Sequence, residues 1–93
     1  MGATLIEKSR KVIDEKTFFE VVLWHLPEPV PGSVHPFKYR LALVVNGECI
    51  LRYDNERGKG DHRHIGGREE AIMFTTLEAL FDDFQTDMER ILK

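Results

Sequence analysis

Cysteine is almost missing from this chain. Cys49 is the only one among 93 residues, which excludes an internal disulfide and any cysteine-based zinc finger or ribbon. No apolar run approaches the 18 or so residues that cross a bilayer. The first residues, Met1-Gly2-Ala3-Thr4-Leu5-Ile6, carry neither a secretory pattern nor the Ser/Thr of a myristoylation site. These absences predict a cytoplasmic protein with no membrane partner. The phosphate-binding spacing G-x-x-x-x-G-K-[ST] is also absent, although Gly58-Lys59-Gly60 is present. Proline is confined to one place. Pro27, Pro29, Pro31 and Pro36 fall within a single short stretch, which can join neither a helix nor a central strand and reads as a stiff loop.

What remains is ordinary globular composition, 42% hydrophobic and 31% charged, enough for one domain over residues 1–93. The net charge of −3 argues against a uniformly basic nucleic-acid binder, but it conceals a polarised chain. Residues 1–37 hold four Lys/Arg against five Asp/Glu; residues 38–68 hold seven against four; residues 69–93 hold two against seven. A basic middle and an acidic tail predict two surfaces with different partners.

The pattern predicts an α+β fold: an antiparallel β-sheet of four to five strands with one C-terminal helix packed on a face. Residues 4–14 read as an exposed first strand and 17–26, rich in β-branched and aromatic residues, as a central one. Residues 37–45 alternate, with Phe37, Tyr39, Leu41, Leu43 and Val45 on one face. Asn46-Gly47 is a type I′ hairpin signal, and 48–54 is the return strand. A two-residue turn predicts Leu43 opposite Ile50, Leu41 opposite Arg52 and Tyr39 opposite Asp54. Residues 55–68, with four glycines, read as a long charged loop, and 69–74 as a short last strand. Thr75 with Glu78 fits a capping box. The helix then runs to Leu92, with Leu77, Leu80, Phe81, Phe84, Met88, Ile91 and Leu92 on its apolar stripe and Asp82, Asp83, Asp87 and Glu89 facing water. One helix covers one face. The other, with Ala42, Val44, Cys49 and Leu51, calls for the first strand, a second copy in a homodimer, or a partner protein. Cys49 reads as a buried inert thiol, His25 as a half-buried structural histidine, and Trp24 as core or interface. His35 reaches the charged segment only if its loop folds over it.

Chemistry concentrates in residues 52–64. Asp54, Lys59, Asp61, His62 and His64 lie within a few positions of one another. Two imidazoles able to give and take protons near neutral pH suit general acid–base cleavage of a phosphodiester. Asp54 or Asp61 would orient an imidazole. Arg52, Lys59 and Arg63 would stabilise the phosphate charge, and Lys38, Arg40, Tyr39 and Tyr53 would bind RNA, the tyrosines by stacking on bases. RNA supplies its own 2′-hydroxyl, so this reaction needs no metal and no cofactor. A metal site built on Asp54, Asp61, His62 and His64 competes with it, opposed by the nearby cations Arg57, Lys59 and Arg63. A solvated loop of mutually paired charges is the plain alternative.

The run Tyr39-Arg40-Leu41-Ala42, followed by Arg52-Tyr53-Asp54-Asn55-Glu56-Arg57-Gly58-Lys59-Gly60-Asp61-His62-Arg63-His64, resembles the TumE family of small bacterial proteins. So do Trp24-His25-Leu26-Pro27-Glu28-Pro29-Val30-Pro31-Gly32-Ser33 and the helix bearing Phe81 and Phe84. The resemblance implies a toxin encoded beside an antitoxin with a helix-turn-helix. Small toxins of this size often cleave mRNA, so the leading expectation is a metal-independent endoribonuclease, by analogy of class. A non-catalytic interaction module is the second reading and a metal-dependent nuclease the third.

Overall fold

The computed structural model describes residues 2–29, 31–55 and 59–93. Six antiparallel strands form one sheet in sequence order, with a single helix after them. The strands are β1 (Thr4–Asp14), β2 (Thr17–His25), β3 (Phe37–Val45), β4 (Glu48–Asp54), β5 (His62–Ile65) and β6 (Arg68–Ala71), and the helix is α1 (Leu77–Leu92). The α+β expectation holds, with one strand more than foreseen.

The extra strand comes from the segment that reads as a loop. Residues 62–65 pair with β4, and 68–71 pair back onto them. Gly66 and Gly67, both at positive φ, make the turn between. The strand hides in the sequence because Arg63 stands beside Ile65 on its core side, where an apolar residue is expected. Its pattern therefore lacks the alternation by which half-buried strands are read.

The β3–β4 pairing also departs from expectation. At the Asn46-Gly47 turn, whose residues take φ 54° and 78°, Val45 pairs with Glu48 and Val44 with Cys49. A bulge then shifts the register, so that Leu43 meets Leu51, Leu41 meets Tyr53 and Arg40 meets Asp54. An unbroken register would turn Arg52 and Asp54 toward the core. The bulge turns Leu51 and Tyr53 there instead, and Arg52 and Asp54 to the other side.

The core lies between one sheet face and α1. Val21, Leu23, Tyr39, Leu41, Leu43, Leu51 and Tyr53 pack with Leu80, Phe84 and Met88. Phe84 meets Tyr53 edge-on at 5.4 Å and Phe19 at 6.3 Å. The helix starts one residue later than the sequence suggests: Thr76 is the N-cap, its hydroxyl accepting from the Ala79 amide at 3.0 Å. Glu78 is then too early to close a capping box and acts only as a first-turn acid facing the helix dipole.

Asp87 does not face water. It is buried, and its Oδ2 accepts from the Tyr53 hydroxyl at 2.5 Å and from Arg63 Nη1 at 3.0 Å. Arg63 also pairs with Glu70. One carboxylate thus ties α1 to β4 and β5. On the opposite face the first strand, one of the three covers expected, supplies part of it through a long charged side chain. Arg10 lies 4.3 Å over the Phe18 ring and pairs with Glu20 at 2.8 Å. Cys49 is exposed rather than buried, and His25 is exposed with its ring edge-on to Phe37. No helix among the described residues is long and apolar enough to cross a membrane.

Replacing Asp87 by Ala strands a buried hydroxyl and a half-buried guanidinium. It should cost about 2–4 kcal/mol of unfolding free energy, against about 1 kcal/mol for Tyr53→Phe. Urea unfolding of the two variants checks this; equal small losses would show that Asp87 does not hold the helix.

Candidate active site

Strand alternation divides the residues of the 52–64 segment between two sides of the sheet. On the side away from α1, register sets Arg40 beside Asp54 and Asp54 beside His62, and in the next row Ala42 beside Arg52, Arg52 beside His64 and His64 beside Glu69. Arg52 is the hub. Its Nε lies 2.8 Å from Asp54 Oδ2 and its Nη2 lies 3.0 Å from His64 Nε2. Glu69 Oε2 stands 3.6 Å from His64 Nε2, 3.8 Å from His62 Nε2 and 4.0 Å from Lys59 Nζ. Nothing in the sequence singles out Glu69, because it reaches the histidines only through the β5–β6 pairing.

The partners fix the imidazole tautomers. A carbonyl oxygen only accepts, so His62 Nδ1 carries the proton it donates to the Gly60 carbonyl at 3.1 Å. Its Nε2 is then the basic nitrogen. A guanidinium only donates, so His64 Nε2 is the acceptor for Arg52. Both Nε2 atoms lie within 3.8 Å of the same Glu69 oxygen. Two hollows meet at Arg52. One of about 160 Å³ is lined by Lys38, Arg40 and Asp54 among others, and one of about 440 Å³ by His64, Arg68 and Glu69 among others. The open face thus brings together Lys38, Arg40, Arg52, Asp54, Lys59, His62 and His64.

Four other sequence candidates lie elsewhere. Arg63 is taken up by Asp87 and Glu70 on the helix side. Tyr39 and Tyr53 are 3% and 2% exposed, so neither ring is placed to stack on a base. Asp61 turns away from His62. Its Oδ2 accepts from Tyr39 at 2.6 Å and from His35 Nε2 at 2.8 Å, while His35 Nδ1 accepts the Phe37 amide. The proline loop does fold over, but onto Asp61 and not onto the other two histidines. Phe74 stacks on His35 at 3.7 Å. Buried Asn55 completes this anchor: its Oδ1 accepts the Tyr39 amide at 3.0 Å and its Nδ2 donates to the Phe37 carbonyl at 2.6 Å. Asn55 is a second residue the sequence does not mark, since a polar residue just past a strand reads as loop. Glu56, Arg57 and Gly58, part of the same charged segment, lie outside the described residues. Among the described residues, no group of three or more His, Cys, Asp or Glu is placed to hold a metal ion.

Burial, then the bond to Asp61, pushes the Tyr39 phenol well above its ordinary value of 10; burial and Asp87 do the same for Tyr53. Burial opposes the charge on Arg63, but Tyr53 and Asp87 together outweigh it and hold its pKa up. The folded protein thus keeps both phenolic protons beyond the pH at which the unfolded chain loses them. The stability they contribute is complete below about pH 10 and is lost as pH rises above it. Unfolding free energy should fall between pH 9.5 and pH 11, with tyrosinate absorbance appearing only as the protein unfolds. Tyr39→Phe and Tyr53→Phe should each flatten that decline; an unchanged slope in both would contradict it.

None of the curated proteins and none of the solved structures matches this chain significantly. A family model described as Toxin TumE matches residues 2–92, which takes in every strand, the helix and the whole open-face cluster. The chain belongs to the TumE toxin family.

Proposed function

We propose that this toxin is a metal-independent endoribonuclease that works on the open face of its sheet. The observation that carries the reading is Arg52, held between Asp54 and His64 Nε2 in a row of cations beside a second imidazole. His62 Nε2 takes the proton of a ribose 2′-hydroxyl. The 2′-oxygen attacks the adjacent phosphorus, and the bond to the 5′-oxygen breaks. Arg52 first leaves His64 for the phosphate, where it, Arg40 and Lys38 meet the growing negative charge. His64 Nε2, freed of that bond, takes up a proton from solvent and gives it to the departing oxygen. Asp54 keeps Arg52 oriented. Lys59 and Glu69 set the charge around the imidazoles. Asp61, Arg63, Tyr39 and Tyr53 have structural roles in this scheme.

A second reading, a toxin that acts by binding alone, is favoured by one feature. A groove of about 720 Å³ runs between α1 and the first two strands, lined by Ile13, Phe19, Phe81, Phe84, Met88 and Leu92 among others. Toxins of this kind are paired with antitoxins, and the groove beside the acidic helix suits an apolar, basic segment of such a partner. A helix-turn-helix protein of that character is the antitoxin we expect. Docking there leaves the open face free, so an antitoxin in the groove is compatible with either reading.

Induced alone, the wild type should arrest bacterial growth, and His62→Ala/His64→Ala should not, with folding of both confirmed by circular dichroism. Arrest by both would discard the histidine mechanism and leave the binding mode. In vitro, cleavage that survives EDTA supports the scheme, and cleavage abolished by EDTA would sink it.

A further inference from the structure

A hollow of about 530 Å³ lies around the edge of the sheet from the candidate active site. Its lining is Gly32 and Val34 from the proline loop, Lys59 to Asp61, and Ala71 to Phe74. Val34 and Met73 are 92% and 86% exposed, more than any other large hydrophobic residue described. Isolated exposed apolar side chains need no explanation, but these two line one hollow, with Ile72 and Phe74 as its half-buried partners.

The walls are held by specific contacts. The Ile72 amide donates to the Asp61 carbonyl at 3.0 Å, and Asp61 itself is fastened to His35 and Tyr39. Gly60, at φ 74°, lies so close to the proline loop that a Cβ there would meet the Gly32 carbonyl oxygen at 3.0 Å. The hollow is thus a preformed feature in which the two chain segments touch, not a gap between loose loops.

It is also joined to the imidazoles at two points. The Gly60 carbonyl that closes one wall accepts from His62 Nδ1. Lys59, on the rim, reaches Glu69, which stands beside both histidines. Lys59 therefore belongs both to the lining of the hollow and to the charged surroundings of the imidazoles.

We propose that this hollow is a nucleobase subsite, which takes a base of single-stranded RNA next to the cleaved linkage and sets sequence preference. The proposal rests on the ribonuclease reading of the open face. Apolar walls accept the base's faces. Lys59 meets the flanking phosphate.

The test uses the full chain with 2′-O-methylated tetranucleotides of A, C, G or U, which lack the attacking hydroxyl. Affinity is measured by calorimetry and contact by amide and Met73 methyl shifts. The four sequences should differ by about tenfold or more, with shifts at Gly60, Ile72 and Met73. Val34→Ser/Met73→Ser alters only exposed side chains, so it should fold, and it should reduce the four affinities to near equality. Val12→Thr, an exposed control on β1, should change nothing. Shifts confined to Lys38, Arg40 and Arg52, or equal affinities in the wild type, would overturn the subsite while leaving the catalytic reading intact. Base-dependent binding in the hollow by a protein that cleaves no RNA would keep the subsite and overturn catalysis. Absence of any binding overturns the subsite, and cleavage of long RNA then decides the catalytic reading separately.

Discussion

The Asp87 carboxylate decides which way β5 faces. It sits on the helix, buried, and takes both the Tyr53 hydroxyl and the Arg63 guanidinium. A strand's side chains alternate, so fixing Arg63 toward the helix fixes His62 and His64 away from it. A one-residue slip would bury two imidazoles and expose the arginine. The β3–β4 bulge does the same for β4, placing Leu51 and Tyr53 under the helix and Arg52 and Asp54 opposite. Together these two constraints assemble the open-face cluster, in which Asp54 is buried and His62 and His64 are half-buried.

Asp61 plays the parallel part at the sheet's end. As with Asp87, a buried tyrosine donates to it and a nitrogen of a second side chain, here His35, joins the pair. It binds the proline loop to the start of β5, and Asn55 extends β4's pairing to the same place. The chain's charge now has a geometry. Among the acidic residues of 69–93, Glu70 and Asp87 hold Arg63 on the helix side, while Lys38, Arg40, Arg52 and Lys59 lie on the open face with Glu69 beside the imidazoles. An overall net charge of −3 is therefore no bar to binding a polyanion on one side.

Much of this was legible in the residues. The strand at 17–25, the Asn46-Gly47 hairpin and the amphipathic helix follow from alternation, turn chemistry and a 3.6-residue stripe, all of which are local. What failed is non-local. The bulge depends on which register buries more apolar surface, and β5 depends on Arg63 finding Asp87 from 24 residues away. Asp87 read as solvated because helix periodicity marks only apolar residues as inward-facing. The density of Asp, Lys and His in 52–64 singled out one segment, but alternation removed Asp61 and Arg63 from the open-face cluster, and the β5–β6 pairing supplied Glu69. Cys49 pairs with Val44 as an unbroken hairpin would have it, and it is exposed beside the turn.

The most direct measurement is the chemistry of the ends made when purified protein meets RNA in EDTA. An imidazole pair acting on the 2′-hydroxyl leaves a 2′,3′-cyclic phosphate and a 5′-hydroxyl, and His62→Ala should abolish both products. A 3′-hydroxyl with a 5′-phosphate, or unchanged cleavage by the variant, would contradict the account.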